Sequence, residues 1–319
     1  MTTENVPVSE KRSTARSFKD YLGLAARGFA MGSADVVPGV SGGTMAFILG
    51  IYEELITSIR DLLSPAAARL VLRFKIKAAL DILPWKFLLA VGIGIILAIF
   101  SLAPYLEWTL ENQPVLLWSF FFGLVAASII TVSKKVSHWG AGTIFGAVIG
   151  AIAAYFIVGL VPAETPNTAW FLFFSGFVAS CAMILPGISG SFILLLLGKY
   201  QTVLTAVNDR DFVVLLVVAL GVAVGIVTIA QILSRLFKRY HDVTVAVLIG
   251  LMAGSLRKIW PWKETIDVPG EPIPELVNIW PAAWTTEVTI AVILIIVGFA
   301  LVFVLDSWAA RREKVQAAA

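Results

Sequence analysis

Six long apolar runs, at roughly 85–107, 114–133, 140–162, 211–234, 243–260 and 285–306, constrain this chain more than any other feature. Each is long enough to cross a bilayer as a helix, which takes about 20 residues. A water-soluble fold has no interior large enough to hide them all. The chain therefore reads as an all-α polytopic membrane protein. Composition agrees, with 59% hydrophobic and 14% charged residues, where soluble domains average about 45–50% and about 25%. These proportions exclude a disordered chain and a disulfide scaffold. A nucleic-acid binder is excluded too, because the net charge is only +3 and the cations fall in short clusters between apolar runs. The single cysteine, Cys181, and the isolated His138 and His241 offer no metal cluster, so neither metal nor cofactor is expected.

Two further apolar stretches, roughly 19–56 and 168–206, are interrupted in the middle. The first reads Val37-Pro38-Gly39-Val40-Ser41-Gly42-Gly43-Thr44, and the second Leu185-Pro186-Gly187-Ile188-Ser189-Gly190-Ser191-Phe192. Proline removes a backbone donor and glycine permits irregular angles, so each stretch should be helix, break, helix. Each arm has about 16 residues and would reach ~24 Å. Irregular backbone at membrane depth is tolerated only inside the protein or along a cavity.

The breaks belong to an internal repeat. Pro186 lies 148 residues after Pro38, and the same shift carries Gly28, Gly39, Ser41, Gly42, Gly50 and Tyr52 onto Gly176, Gly187, Ser189, Gly190, Gly198 and Tyr200. Further on, Gly123-Leu124-Val125-Ala126-Ala127-Ser128 resembles Gly250-Leu251-Met252-Ala253-Gly254-Ser255. Two membrane repeats, 18–162 and 165–306, are thus expected between tails 1–17 and 307–319, each a re-entrant hairpin broken at PGxSG followed by three spans.

A hairpin returns to its starting side and three spans do not, so the repeats should be inverted. The cations agree. Segments 57–86, 134–138 and 235–239 and both tails are basic and should be cytoplasmic, while 107–113 and 162–168 have no Lys or Arg and should be outside. Segment 57–86 is expected to be an amphipathic helix on the cytoplasmic surface, and the mixed segment 257–285 says little. The first residues are polar and carry no cleavable leader pattern. The ten tryptophans lie at or near span ends, as interfacial anchors do.

The breaks suggest anion chemistry. Helices starting at Ser41 and Ser189 would present unpaired amides and partial positive charge. Gly42, Gly43 and Gly190 allow close approach, and Ser41, Thr44, Ser189 and Ser191 add hydroxyls. Such a place suits a phosphate. Two such tips, inverted and meeting near the midplane, fit an alternating-access transporter of an anion. Asp35 either carries a coupling proton or sodium ion or caps the break. Glu53 and Glu54 are protonation sites or interfacial charges. Arg27 and Lys199 neutralise the anion or snorkel to the interface.

These motifs carry a resemblance. Gly32-Ser33-Ala34-Asp35-Val36-Val37-Pro38-Gly39-Val40-Ser41-Gly42-Gly43-Thr44, with Leu49-Gly50-Ile51-Tyr52-Glu53-Glu54, resembles the signature of the polyprenyl-phosphate (undecaprenyl-phosphate) transporter family, PopT-type. Leu185-Pro186-Gly187-Ile188-Ser189-Gly190-Ser191 and the later Gly254-Ser255 and Ile259-Trp260-Pro261 are similar to it as well, over about 20–306. The resemblance implies a bacterial inner-membrane flippase. It would return the lipid phosphate from the outer to the inner leaflet for reuse in cell-wall synthesis. Three other readings compete: an inorganic-anion channel or exchanger, a polyprenyl-pyrophosphate phosphatase, and an assembly protein without transport. The phosphatase motif continues with Arg, where this chain has Gly42 and Gly190, which leaves no cation for a transferring phosphoryl group.

Overall fold

A computed structural model describes residues 16–317 except 38–39, 63, 65–66, 68, 71–72, 164 and 267–274. Pro38 and Gly39 therefore lie outside the described residues, as do most of the 1–17 segment and the side chains from 308 onward. Helix α1 (Phe18–Val36) opens on a capping box in which the Ser17 amide donates to the Asp20 carboxylate at 2.8 Å. It is followed by α2 (Gly42–Ile48), α3 (Tyr52–Leu62), α4 (Ile76–Ile82), α5 (Trp85–Asn112), α6 (Pro114–Ser133) and α7 (Ala141–Ile157). The order then recurs as α8 (Ala169–Ile184), α9 (Gly190–Leu196), α10 (Tyr200–Asn208), α11 (Phe212–Arg239), α12 (His241–Ser255) and α13 (Thr286–Ala317). The protein is an all-α polytopic membrane protein with one small addition. An antiparallel β-hairpin pairs β1 (Lys263–Ile266) with β2 (Glu275–Asn278), where the sequence marked only a mixed loop.

Glycine explains how the helices pack. Helices α1 and α5 lie together, as do α8 and α11, while α6 pairs with α13 and α7 with α12. A side chain on Gly28 would collide with the backbone of Val91, and one on Gly94 with that of Ala25, so α1 and α5 touch through both glycines. Gly176 against Val218 and Gly221 against Phe173 do the same for α8 and α11. Gly123 and Gly298 close the α6/α13 contact, and Gly150 and Gly250 the α7/α12 contact. Small residues at such crossings let backbones approach where lipid offers no hydrophobic drive for association. Gly28 and Gly176, matched by the repeat, hold equivalent helix pairs. Gly123 and Gly250, also matched, hold pairs that cross from one half of the chain to the other.

Both interrupted stretches re-enter. Arg16, before α1, donates twice to the Glu54 carboxylate of α3 at 2.8 Å, so the first stretch ends where it began. In the second, Lys199 reaches back to the Thr165 carbonyl and to Asn167 Oδ1, both at 2.6 Å. The arms differ from expectation, however. The helix after each break lasts only 7 residues, and a second break follows at Gly50 (φ +73°) and Gly198 (φ +62°). There the chain enters the left-handed region that glycine alone adopts freely, and α9 and α10 diverge by 106°.

Two other expectations change. Among the described residues four helices are long and apolar enough to cross a membrane, within α5, α6, α11 and α13, where the sequence suggested six. The others, α7 with 17 residues and α12 with 15, are shorter because the chain leaves the helix at Val158 and Leu256 to frame a cavity. Segment 57–86 is no single helix, since α3 runs on to Leu62 and α4 stands apart.

Candidate functional site

The two breaks meet. Ser41, the N-cap of α2, accepts from the Gly43 amide at 3.1 Å and donates to the carbonyls of Met183 (3.2 Å) and Leu185 (3.3 Å). Thr44 Oγ1 accepts from the Gly187 amide at 2.9 Å, and the Tyr52 hydroxyl donates to the Ile184 carbonyl at 3.0 Å. Ser41 and Thr44 are each 1% exposed, so this contact is dry. Gly187 (φ +91°) fits between its neighbours closely, since an added Cβ would lie 2.9 Å from both the Leu251 carbonyl and Ser255 Oγ. Carbonyls freed by the end of α8 and a donor freed by the second break are thus satisfied by side chains of the first motif.

The two N-termini differ. The Gly42 amide donates to Asp35 Oδ1 at 2.6 Å, so a carboxylate already sits on the first turn of α2. In the repeat, Met183 stands where Asp35 does. Ser189 makes no side-chain cap on α9, and its hydroxyl instead lies 2.8 Å from that of Ser191. Gly190 packs on Ala179 and Met183 of α8.

The remaining expected residues lie elsewhere. Lys199, 1% exposed, is held by Thr165, Asn167 and the Phe171 ring, which makes it a clasp on the second hairpin, remote from either N-cap in its contacts. Arg27 is half-buried within α1, more than two turns before Asp35. Glu54 takes Arg16, and Glu53 meets His241 Nε2 at 3.2 Å. His241 also touches Asp242, which accepts from the His138 amide at 2.9 Å. Together with the Arg60–Ser234 bond, these contacts gather the basic segments at one end of the bundle.

At the opposite end lies a group that the sequence reading passed over. A cavity of about 610 Å³ is framed by the ends of α7 and α12, by α9 and by the β-hairpin. Arg257, Lys258 and Lys263 line it. Burial, with the charge of Lys258 beside it, pushes the Lys263 amine down to about 8. The available signal was three cations within seven residues of a segment on the side where short loops normally lack them.

Residues 31–275 match the family described as VCA0040-like, undecaprenyl phosphate translocase-like. The chain belongs to that family. Over 301 residues it is 40% identical to a protein of Vibrio cholerae serotype O1 named polyprenyl-phosphate transporter, covering 91% of this chain and 97% of that one. A Staphylococcus aureus protein of the same name is 31% identical over 257 residues, 74% of this chain and 84% of its own. No solved structure matches the chain.

Proposed function

We propose that this chain transports polyprenyl phosphate, returning it from the outer to the inner leaflet of a bacterial cytoplasmic membrane so that the carrier is reused in cell-wall synthesis. The observation that carries this reading is the dry contact between the two breaks, through Ser41, Thr44 and Gly187. It joins irregular backbone from two re-entrant hairpins inside the bundle, the arrangement on which alternating access works. The matching halves, 18–162 and 165–306, would rock against each other around it. The names and coverage of the two bacterial relatives support the substrate class.

In this reading the end bearing Arg16, Arg60 and Lys134 faces the cytoplasm with both termini, and 107–113 and 162–168 face outside. The phosphate enters beside the uncapped turn of Ser189, Gly190 and Ser191 and leaves past Ser41, Gly42, Gly43 and Thr44. Its isoprenoid tail stays in lipid throughout. Asp35 holds the exit seat with its own negative charge. A proton on Asp35 would weaken that hold and let the phosphate take the Gly42 amide, which makes the proton the coupling ion. Movement without hydrolysis fits the glycines at 42 and 190, which leave no cation at either motif to stabilise a transferring phosphoryl group.

The test is reconstitution in liposomes with a headgroup-labelled polyprenyl phosphate, following movement between leaflets with and without a pH gradient. Gradient-sensitive movement, reduced about tenfold by Ser41→Ala with Ser189→Ala, is expected. Normal movement by that double variant would remove the phosphate from the breaks. Since Ser41 also ties the breaks together, Ser189→Ala alone isolates the loading step.

A further inference from the structure

We propose that the cavity at the ends of α7 and α12 receives a phosphate monoester on an isoprenoid chain, with Arg257, Lys258 and Lys263 taking the phosphate. The lipid part of this assignment rests on the transport reading above. The phosphate part stands on the geometry of the cavity.

Three cations converge there, each against an aromatic face. The Arg257 guanidinium lies 4.5 Å from the Tyr155 ring centre and donates to the Tyr155 carbonyl at 3.1 Å. Lys258 Nζ lies 4.4 Å from the Phe192 ring. Lys263 Nζ lies 5.5 Å from the Trp118 ring and donates to the carbonyls of Lys258 (2.6 Å) and Trp260 (2.9 Å). Among the described residues no carboxylate forms an ion pair with any of the three. The opposite end behaves differently, with Arg16 on Glu54 and Arg60 on Asp61. Partly buried cations of one sign repel each other and lose hydration, so a shared anion is the natural counter-charge. Donors remain for one, because an ammonium has three N–H groups and a guanidinium five.

Topology sharpens the point. Anchoring cations belong on the cytoplasmic side, and these three lie at the other end. The room for Arg257 is also built in, since a side chain on Gly159 would collide with its guanidinium.

The remaining walls say what the phosphate is attached to. Val158, Leu160, Leu195 and Leu256 add apolar lining to the cavity. A volume of about 610 Å³ is typical of a site for a whole small molecule and is several times what inorganic phosphate needs. Phe192 and Leu195 belong to α9, so the short helix that begins at the second break forms part of the cavity wall. A headgroup bound here sits one helix away from the uncapped Ser189–Ser191 turn.

The experiment uses the purified full chain in lipid nanodiscs and measures binding of farnesyl phosphate, farnesol and inorganic phosphate. Farnesyl phosphate should bind tightest. Lys258→Gln with Lys263→Gln should weaken it about tenfold or more, and Lys238→Gln at the opposite end should not. Inorganic phosphate binding as tightly as farnesyl phosphate would overturn the lipid assignment, and unchanged affinity in the double variant would overturn the site. Should that variant unfold, amine labelling of the unmodified protein decides: farnesyl phosphate should protect Lys258 and Lys263, and absence of protection would overturn the site. Lipid movement that survives the double variant unchanged, with unchanged binding, removes this site and leaves transport standing. Phosphate binding that depends on the two lysines, in a protein that moves no lipid, removes transport and keeps an anion site here.

Discussion

The first and second breaks share a backbone plan and differ at the position that decides their chemistry. Both have a short helix entered through a serine N-cap and left through a glycine at positive φ. In the first, Asp35 fills the N-terminal seat of α2. In the second, Met183 occupies the matching place and α9 starts without a side-chain cap. A repeat can therefore keep one geometry while its halves take different duties. One seat is held by the protein's own carboxylate, and the other carries no side-chain cap.

Removing that difference should have the largest effect. Asp35→Met makes the first break like the second. It should abolish most lipid movement and lower thermal stability by about 1–3 kcal/mol, the cost of a buried amide left without its acceptor. Asp35→Asn keeps an acceptor for Gly42 and loses only the charge, so stability should fall less while gradient dependence of transport disappears. Wild-type gradient dependence in Asp35→Asn would reduce Asp35 to a cap.

The reverse change sharpens the comparison from the other side. Met183→Asp should place a carboxylate beside Gly190 and compete with phosphate there, weakening lipid-phosphate binding about tenfold in the same nanodisc assay. Unchanged affinity would mean that the second break is not on the path.

Glycine substitutions separate strain from space. Gly50→Ala meets nothing within 4 Å and should cost only the left-handed conformation, about 1–2 kcal/mol in denaturation. Gly187→Ala has the same kind of φ and adds contacts at 2.9 Å with backbone and Ser255, so it should cost more and also slow transport. Equal costs would mean that the contact between the breaks yields easily.

The smallest effect is expected from pH at the cationic cavity. Lys263 is protonated below about 8 and loses its charge above it, where an ordinary lysine keeps charge to about 10.5. Anion affinity should therefore fall as pH rises from about 7 to about 9, by about two- to threefold because the Arg257 guanidinium keeps its charge. A flat profile in binding titrations would take Lys263 out of the phosphate contact.

Legibility differs by residue. Pro186 and Gly187 announced a break because adjacent Pro and Gly remove a backbone donor and free the backbone angles at the same point. The second break at Gly50 and Gly198 was silent, because Leu-Gly inside an apolar run reads as a tolerated glycine, and only φ distinguishes it. Lys199 reads from its place near a motif as a phosphate neutraliser or a snorkelling anchor, and the fold buries it against Thr165 and Asn167. Arg257, Lys258 and Lys263 were hidden by the acids that follow them in the mixed 257–285 segment, which balance the charge on paper.

The sequence by itself determined the membrane class, the duplicated plan and the re-entrant breaks. Apolar length and backbone-breaking residues are local properties, and a bilayer gives a chain few ways to satisfy them. Tertiary structure alone decided that Asp35 faces Gly42, that Ser41 and Thr44 hold the opposite break, and that three cations share a cavity with no ion-paired carboxylate among the described residues. Those facts depend on which helices approach closely enough to touch, and that is set by glycine contacts between segments far apart in the chain.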